Sequence, residues 1–593
     1  MQAVSEAWTA AHEKRLLEQN LLEITIEIGD PESMSDAQAS DNGASDLANT
    51  EKITHGIDLG TPRYGTLELN QTMLDGSSVI VPDTHPDDTG FISDDLSDAD
   101  GYFASPPQIA ISFSRVFDKL IPGITVSWAG EYGEFARDYT VTAYNGGTVV
   151  SETQVVDNTS VIAPIELDII NYDRIVLTVT RWCLPYHRAR VGELFVGLKK
   201  SYKNADIFDY NNSIRIYPLG EKLPKYEIKF EVSNIDGAYD PDSPEGLTKY
   251  LIRRQSVNVR YGMKVNGKPE WISGGKYYLN EWKSPQNGIE ATFKARDLLE
   301  YLSDEYIRGT YAPNGVTLLS LAEGLMRELN LPKLRDGTDP WEFDASLGSM
   351  TTKAALPIGT YAECLQLIAN AAGCTLSMRR DGKVIIAPMH TEQTDYVVKS
   401  FNSFEKPETD LSKQLKNIKV DVYSYYNGDA VELFNGIVPV SGTQTVPLRY
   451  SDAATGVSAT VTGGTLVSAK YYTNACELTI TGSGDVTVVL NGVRLKESSS
   501  VYTEAVGDDG DDEELDNPMI TSSELAHRAA DVMRAVLTNR RQFDLDWRPD
   551  TRLDAGDIIT VSGKYSDTPA QVTELEYSFN GAYHATAKTR AKE

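Results

Sequence analysis

The amino-acid sequence predicts a mainly β, multidomain protein, and three observations support this prediction. The chain has 593 residues, and at ~100–200 residues for each domain it divides into about four domains. Short runs that alternate apolar and polar residues, such as LLEITIEIG and DYTVTAYNGG, recur along the chain with turn residues between them. Tyr is twice as frequent as Phe, 31 against 15, which is typical of half-exposed aromatic positions in strands and interfaces.

Charge and cysteine usage limit the classes of function. The formal net charge is −31, so free nucleic acid would be repelled and is not predicted as a partner. Four cysteines show no CxxC spacing and are predicted to be buried free thiols, as in a reducing cytosol: Cys183, Cys364, Cys374 and Cys476. The first twenty residues lack the apolar core of a signal peptide. No run approaches the ~20 apolar residues of a membrane span, so no transmembrane segment is predicted.

The N-terminal part of the chain has strand patterns after a short helix. Leu21–Gly29 alternates like a strand, whereas Asp30–Asn49 is small and polar and predicts an exposed loop. Two further strand-like runs, Tyr64–Leu69 and Ser77–Pro82, precede an acidic linker. From about 103 to 197, short strand patterns with turn signals predict a β-sandwich.

The middle of the chain, after a second β segment, predicts a small α+β unit. An amphipathic helix pattern covers residues 316–329. Thr360 and Glu363 have the spacing of a capping box, and Gly373 ends the helix that they begin. Asp381-Gly382 lies between two short apolar runs and predicts a hairpin packed on that helix.

The C-terminal part returns to β structure, apart from a helix capped by Thr521 and Glu524. Pro549 forces an extended chain before it, so Trp547 is predicted to pack in a barrel and Arg548 to pair with a local carboxylate. The sequence Asp554–Asp557 predicts a tight turn that is structural and that Asp557 fixes by accepting from nearby backbone N–H groups.

No residue pattern of an enzyme active site is present. The seven histidines form no HExxH or HxxxH pattern, and GxSxG, phosphate-loop and SxxK motifs in a suitable context are missing. We therefore predict no catalytic residue and no enzyme activity. Two carboxylates across a cleft, as a glycosidase needs, stay an open alternative in so acidic a chain.

Two acidic clusters share some features with a cation loop. Asp236, Asp240 and Asp242 lie in the turn-rich stretch NIDGAYDPDSPEG, and a second cluster covers residues 508–514. Neither has the twelve-residue loop with a terminal Glu that binds Ca²⁺. A surface turn and a flexible acidic linker are the alternative interpretations. We predict no cofactor and no metal site, with Ca²⁺ at the first cluster left open.

Three stretches resemble the hub proteins of tailed phages and related tail-like injection particles. NIDGAYDPDSPEG, the basic strand Arg253–Tyr261 and the Gly-ended strand after it resemble the first hub barrel of that family. The helix-Gly-strand-Asp-Gly-strand-Pro order of residues 362–388 resembles its small α+β domain. NPMITSSELAHRAADVMRAVL followed by DLDWRPDTRLDAGDIITVSG resembles its last barrel. The order of these motifs makes the resemblance persuasive over most of 1–80 and 200–593.

The resemblance implies a baseplate hub or tail-tip protein with a structural role. In that family, barrels from three subunits alternate in a pseudo-sixfold ring that matches a hexameric tail tube, which implies a homotrimer. The implied partners are distal tail or tail tube proteins, the tape measure protein, and tip spike or fibre proteins. The implied location is the tail tip of the virion, after synthesis in the host cytoplasm.

Residues 103–197 depart from the plain hub pattern and resemble an inserted galactose-binding-like (discoidin, F5/8 type C) jelly-roll sandwich. In such domains a closing Arg-Ile-x-Glu-hydrophobic strand packs beside the first strand, and Arg190–Leu194 holds that place. The resemblance implies binding of a host surface glycan, with four candidate aromatic residues: Trp128, Tyr132, Trp182 and Tyr186. Because Trp128 and Trp182 lie in strand-like runs, burial in the core or in a subunit contact is the alternative.

The predicted domain division has six segments. They are 1–96 (N-terminal helix and first part of hub barrel 1), 97–198 (inserted sandwich), 199–310 (second part of hub barrel 1), 311–410 (small α+β hub domain), 411–515 (β-rich hub domain) and 516–593 (C-terminal helix and last hub barrel). A stand-alone carbohydrate-binding surface protein is the main alternative function, and a cell-wall hydrolase is the second. Oligomeric state distinguishes the first alternative, and a turnover assay on peptidoglycan distinguishes the second.

Overall fold

The structure is a computed structural model that describes residues 1–14, 19–54, 63–64, 68, 78–79, 89–220, 222–244, 246–285, 288–329, 331, 334, 338–389, 393–399, 401–563 and 565–592. It is mainly β and multidomain, as the sequence predicts. Most of the predicted runs Tyr64–Leu69 and Ser77–Pro82 lies outside the described residues.

The helices are short and separate the β units. In chain order they are α1 (Glu6–His12), α2 (Pro31–Asp36), α3 (Leu299–Leu302), α4 (Leu318–Glu328), α5 (Tyr361–Ala371) and α6 (Ser523–Leu537). Short 3₁₀ helices occupy Thr50–Thr54, Gly130–Tyr132, Asn204–Asp206, Leu247–Tyr250 and Ala345–Ser349.

The strands of the N-terminal half are β1 (Asn20–Gly29), β2 (Gln38–Asn42), β3 (Arg63–Tyr64), β4 (Ser78–Val79), β5 (Phe91–Leu96), β6 (Gln108–Phe117), β7 (Ile121–Ser127), β8 (Ala136–Asn145), β9 (Thr148–Val155), β10 (Ile162–Ile169), β11 (Tyr172–Trp182), β12 (Arg188–Val191), β13 (Glu193–Phe195), β14 (Gly197–Lys203), β15 (Ile207–Arg215), β16 (Lys225–Ser233), β17 (Ser256–Val265), β18 (Lys268–Lys283) and β19 (Glu290–Arg296).

The strands of the C-terminal half are β20 (Glu305–Tyr306), β21 (Val316–Thr317), β22 (Trp341–Phe343), β23 (Thr351–Thr352), β24 (Gly359–Thr360), β25 (Thr375–Met378), β26 (Val384–Ala387), β27 (Gln393–Val398), β28 (Glu408–Leu411), β29 (Leu415–Arg449), β30 (Ala454–Tyr471), β31 (Ala475–Ala505), β32 (Asp511–Leu515), β33 (Arg541–Trp547), β34 (Ile558–Val561), β35 (Thr568–Phe579) and β36 (Tyr583–Ala591).

Two barrels with separate cores share one sheet. The first barrel has the strand order β14-β1-β17-β18-β19-β16-β15, and the second has β28-β33-β36-β35, with β34 beside β35 and β27 beside β34. The alternation of β1 places Leu22, Ile24, Ile26 and Ile28 in the first core. Trp547 lies in the core of the second barrel, which confirms the prediction from its sequence.

A β-sandwich is inserted in the first barrel between β1 and β14. Its two sheets have the orders β10-β7-β13 and β2-β6-β11-β8-β9. The chain leaves the barrel after Gly29 and returns at Gly197, and these two residues are paired across β1 and β14. Ile53 and Phe91 are buried in the sandwich core, so this unit includes residues before the predicted boundary at 97.

The segment Asp30–Asn49, predicted as an exposed loop, contains a helix and a strand. Asp30 accepts a hydrogen bond from the N–H of Glu32 and caps α2, whereas β2 pairs with β6. β2 is largely exposed at the edge of its sheet. Its side chains therefore have no apolar periodicity that would predict a strand.

The small α+β unit forms as predicted. The N–H of Glu363 donates to Thr360 Oγ1 at 3.1 Å, and the N–H of Thr360 donates to Glu363 Oε2 at 2.7 Å, which completes the capping box of α5. β25 and β26 pair around Gly382, whose φ is +90°. The sequence did not predict β22, which pairs with β26 in parallel.

The long strands β29, β30 and β31 curl into a unit with its own core. The N–H of Ser451 donates to the carbonyl of Leu433, and the N–H of Leu495 donates to the carbonyl of Ala453. The acidic tract that was expected as a flexible linker includes β32, which pairs with β29. Lys419 Nζ lies 2.8 Å from Asp512 and 3.2 Å from Glu514, so cross-strand ion pairs hold this acidic strand.

The four cysteines are free thiols, as predicted. Cys364, Cys374 and Cys476 are buried and Cys183 is half-buried. Burial raises the pKa of Cys374 and of Cys476 to about 11. These two thiols therefore stay protonated and unreactive at neutral pH.

Removing the sandwich at the Gly29–Gly197 pair is expected to leave the barrels folded. A short turn in place of residues 30–196 joins two adjacent positions of antiparallel strands, so the first core keeps its residues. Thermal unfolding of this variant should remain cooperative. Deletion of residues 97–198 is the control variant. It should give insoluble protein, because it removes most of the sandwich core and exposes Ile53 and Phe91, which are buried in that core. Soluble, folded protein after deletion of residues 97–198 and insoluble protein after deletion of residues 30–196 would contradict the assignment of residues 30–196 to the sandwich.

Candidate functional site

The two barrels meet at a seam made by β15 and β35. These strands pair from Tyr210 opposite Phe579 to Arg215 opposite Glu574. β15 also pairs with β16 of the first barrel along its length. One strand therefore belongs to both barrels and fixes their relative position through backbone hydrogen bonds.

Tyrosine hydroxyl groups fill the first-barrel side of the seam. The hydroxyls of Tyr210 and Tyr261 lie 2.8 Å apart, and Asn212 Nδ2 donates to Tyr261 at 2.8 Å and to Tyr277 at 3.0 Å. Burial raises the pKa of Tyr261 and of Tyr277. The hydroxyls therefore keep their protons at neutral pH and serve as both donors and acceptors. Buried polar networks of this kind specify one arrangement of the packed elements.

Arg380, at the tip of the β25–β26 hairpin, connects the small α+β unit to both barrels. Its Nε donates to Asp554 Oδ1 at 2.7 Å, and its Nη atoms donate to the carbonyls of Thr551 at 2.8 Å and Leu553 at 2.7 Å in the second barrel. It also donates to the carbonyl of Ser273 in the first barrel at 2.9 Å. The side chain is only 7% exposed, so this contact is part of the buried seam.

The sequence Asp554–Asp557 forms the predicted tight turn. The N–H of Asp557 donates to the carbonyl of Asp554 at 3.2 Å, and the N–H of Asp554 donates to Asp557 Oδ2 at 2.9 Å. Gly556 has a φ of +100°, a region that a Cβ disfavours. The structural role predicted for this turn is therefore consistent with its contacts, and Asp554 also receives Arg380.

Gly556→Val should destabilise the protein by about 1–3 kcal/mol, because a β-branched residue is strained at this φ. Asp557→Asn keeps an oxygen acceptor for the N–H of Asp554 but loses the ion pair with the N-terminal ammonium, so it should cost about 1 kcal/mol. Urea unfolding of both variants measures the difference. Loss of a hydrolysis or metal-binding signal in a folded Asp557→Asn variant would contradict the structural role of the turn.

Arg548 contacts the N-terminal segment. Its Nη2 donates to the carbonyl of His12 at 3.3 Å and to that of Lys14 at 2.8 Å. The local carboxylate expected as its partner stays a prediction, and the sequence gave no signal for these carbonyls. The N-terminal helix α1 thus contacts both barrels, since Trp8 lies in the first core.

Within the part of the chain that the structure describes, the shared sheet ends in two strands that each pair on one side only. β28 ends the second barrel and pairs with β33, and β14 ends the first barrel and pairs with β1. All four residues of β28 are exposed, and Leu411 is 69% exposed. Strand edges of this kind are available for pairing with another chain.

The sandwich buries two of the four candidate aromatic residues. Trp128 is 3% exposed and Trp182 is 1% exposed, and their rings pack edge to face at 5.9 Å. This is a correction to their proposed contact with a glycan, because neither indole presents a face to solvent. Tyr132 is half-buried with the guanidinium of Arg190 at 4.6 Å from its ring centre. Tyr186 is 48% exposed.

The loop that contacts Tyr186 carries a second exposed tyrosine that sequence reasoning missed. The N–H of Tyr186 donates to the carbonyl of Ser97 at 3.2 Å, and Tyr102 follows in the same loop. Tyr102 is exposed, with the Arg181 guanidinium 5.0 Å from its ring centre. Leu184 is also exposed. These two loops present aromatic, apolar and cationic groups on one end of the sandwich.

A buried polar cluster contacts residues on both sides of the loop that carries Tyr186. Glu134, 2% exposed, accepts from Trp182 Nε1 at 2.7 Å and lies 3.1 Å from His187 Nδ1. Arg190 Nη2 donates to Glu68 at 2.5 Å. The cluster therefore orders the chain on both sides of Tyr186.

The candidate cation loop consists of turn contacts. Asp236 Oδ2 lies 3.0 Å from Lys200 Nζ, and its Oδ1 accepts from the N–H of Ala238. Asp240 accepts from the N–H of Asp242 at 3.0 Å. Within the described part of the chain, no group of three or more His, Cys, Asp or Glu side chains is arranged to hold a metal ion.

Comparisons with known proteins match solved structures at low sequence identity and low TM-score. No family model and no curated protein matches the chain. A tail protein from Neisseria meningitidis MC58 is 10% identical, with 66% of this chain and 93% of that chain covered and a TM-score of 0.38. The 43 kDa tail protein of prophage MuSo2 from Shewanella oneidensis is 12% identical, with coverage of 66% and 95% and a TM-score of 0.36. Chitosan-binding module 2 of a chitosanase/glucanase from Paenibacillus sp. IK-5 is 14% identical, with coverage of 28% and 96% and a TM-score of 0.17.

Among the described residues, every helix is too short or too polar to cross a membrane.

Proposed function

We propose that the chain is a structural hub subunit at the tip of a phage tail or tail-like particle, and that three copies form a ring. The observation that carries this proposal is the pair of barrels, each with its own core, that share one sheet through β15 and β35. The order of the hub-like motifs along the sequence supports the same role.

The proposed ring follows from the number of barrels in each chain. Three copies supply six barrels, which is the number that a sixfold tail tube presents to its neighbour. The seam holds the two barrels of one chain in a fixed relation, so a ring needs only one further type of contact between copies. An obligate contact of this kind buries about 2,000 Å² or more.

The partners and location follow from this role. The ring contacts distal tail or tail tube proteins on one side and tip spike or fibre proteins on the other, with the tape measure protein at its centre. Its place is the tail tip of the virion, after synthesis in the host cytoplasm. The role is structural and non-catalytic. A peptidoglycan turnover assay of the purified ring distinguishes this role from that of a cell-wall hydrolase, because a structural ring should show no turnover.

The test is the mass of the purified chain in solution. A trimer of the 65.3 kDa chain has three times that mass, about 196 kDa. Sedimentation equilibrium at micromolar concentration should give this value. A monomeric mass over the whole concentration range would contradict the proposal and would favour the stand-alone carbohydrate-binding protein.

A second function, glycan binding in host attachment, is favoured by the exposed loops of the sandwich. Exposed Tyr102 and Tyr186 lie on two loops that a backbone hydrogen bond joins, and the guanidinium of Arg181 lies over the ring of Tyr102. Exposed aromatic faces next to polar groups are suited to stacking on a sugar ring. On a glycan array, Tyr186→Ala and Tyr102→Ala should each lose binding that Tyr565→Ala, an exposed tyrosine of the second barrel, retains. Equal binding by all three variants would overturn this second function.

A further inference from the structure

We infer that copies of this chain join head to tail, with the β28 edge of one copy against the β14 edge of the next. This inference rests on the proposed ring and names the surface that closes it. It follows from three properties of the two edge strands: their free length, their charge and their exposed apolar side chains.

The two edges have matching free lengths. β14 is covered at its start by the sandwich, because Thr125 Oγ1 donates to the carbonyl of Gly197 and accepts from the N–H of Lys199. The part of β14 that stays unpaired on its outer side is therefore residues 200–203. β28 is also four residues long, and its outer side pairs with no strand in the described part of the chain.

The charges of the two edges are opposite. β28 carries Glu408 and Asp410, and neither makes an ion pair with another described residue. The free part of β14 carries Lys200 and Lys203, of which Lys200 pairs with Asp236. In a chain with a net charge of −31, this basic edge is a local exception.

Charge favours a contact between two different edges over a contact between two identical edges. Two β28 edges would place carboxylates opposite each other, and two β14 edges would place lysines opposite each other, so both twofold contacts are unfavourable. A β28 edge beside a β14 edge places carboxylates near ammonium groups. That contact uses a different surface on each copy, and such contacts generate closed rings where the rotation fits.

Exposed apolar side chains lie beside both edges. Leu411 is 69% exposed in β28, and Phe404, 61% exposed, precedes the strand. On the other side, Phe208 is 41% exposed just past the Asn204–Asp206 turn that ends β14. Burial of these side chains between two copies would add apolar area to the backbone and charge contacts.

The test is a charge exchange between the two edges of the full chain. Asp410→Lys and Lys203→Glu should each weaken association about tenfold or more, measured by sedimentation equilibrium at low salt, because each places like charges together. The double variant Asp410→Lys/Lys203→Glu should recover association, since every contact then has opposite charges again. Asp485→Lys reverses an exposed carboxylate on the curled sheet and should leave association unchanged.

Each outcome decides one of the two proposals. Loss in both single variants with recovery in the double variant supports the β28–β14 contact. Wild-type protein that forms rings, with single variants that associate equally well, overturns this contact and leaves the hub role in place. Wild-type protein that stays monomeric overturns the hub role and this contact together. Circular dichroism of every variant, with unchanged unfolding curves, separates lost association from lost folding.

Discussion

Replacing Arg380 by Met should lower the free energy of unfolding by about 3–5 kcal/mol, because the half-buried carboxylate of Asp554 and the carbonyl groups around Arg380 lose their shared donor. Arg380 donates to Asp554 and to three carbonyls that belong to both barrels. Met has a similar length and no polar group, so it fills the space without replacing these bonds. Chemical unfolding followed by tryptophan fluorescence measures the loss.

The adjacent residue on the same hairpin is the matched control. Arg379 is half-exposed and pairs with Asp381 and Glu342 at the surface. Surface ion pairs contribute little, so Arg379→Met should cost less than about 1 kcal/mol. Equal losses for Arg379→Met and Arg380→Met would show that the hairpin contributes only its surface charge, and would contradict the role of Arg380 in the seam.

Asp297→Asn should stabilise the protein by about 4–6 kcal/mol at pH 9 and change it little at pH 4. Asp297, in the turn between β19 and α3, is buried, and its Oδ2 has no hydrogen-bond partner among the described residues. Burial raises the pKa of this carboxyl from 3.8 to about 8. The hydrogen bond that Asp297 accepts from the N–H of Leu299 lowers the pKa, but by less than burial raises it.

The sign of the pH effect follows from the raised pKa. Between about pH 4 and pH 8 the folded protein holds a proton on Asp297 that the unfolded chain releases, so stability falls as pH rises through this range. Asn carries no such proton and removes this part of the pH dependence. Asp304→Asn, an exposed carboxylate nearby, should show the wild-type dependence. If the free energy of unfolding of Asp297→Asn depended on pH as strongly as that of the wild type, the buried, protonated state of Asp297 would be contradicted.

Local features of the fold could be predicted from the sequence because their signals are short-range. Thr360 and Glu363 are three residues apart, so the capping box of α5 is visible in the sequence alone. The alternation in β1 gave its buried face. The turn at Asp554–Asp557 followed from a glycine between two acids.

The seam could not be predicted because it joins residues far apart in the chain. Apolar alternation gives the buried face of β15 and β35 but not that Tyr210 lies opposite Phe579. Arg380 lies in a hairpin tip, where an arginine is normally solvent-exposed, and only the folded chain places it among carbonyls of both barrels.

Polar edge strands and buried aromatic residues were the other difficulties. β2 and β32 contain mostly polar side chains, so their sequences predicted a loop and a linker, although each pairs with a neighbouring strand. Trp128 directly follows β7 and Trp182 ends β11, and the residue type alone does not distinguish a binding face from a core. Tyr102 had no pattern that would separate it from an ordinary turn residue.

The most direct test of the hub assignment is electron cryo-microscopy of the full chain assembled at micromolar concentration. We predict rings with threefold symmetry in which six barrels surround a central opening and the inserted sandwiches lie on the rim of the first barrels. Closed twofold dimers, or single chains with no ring at any concentration that is tested, would contradict the assignment.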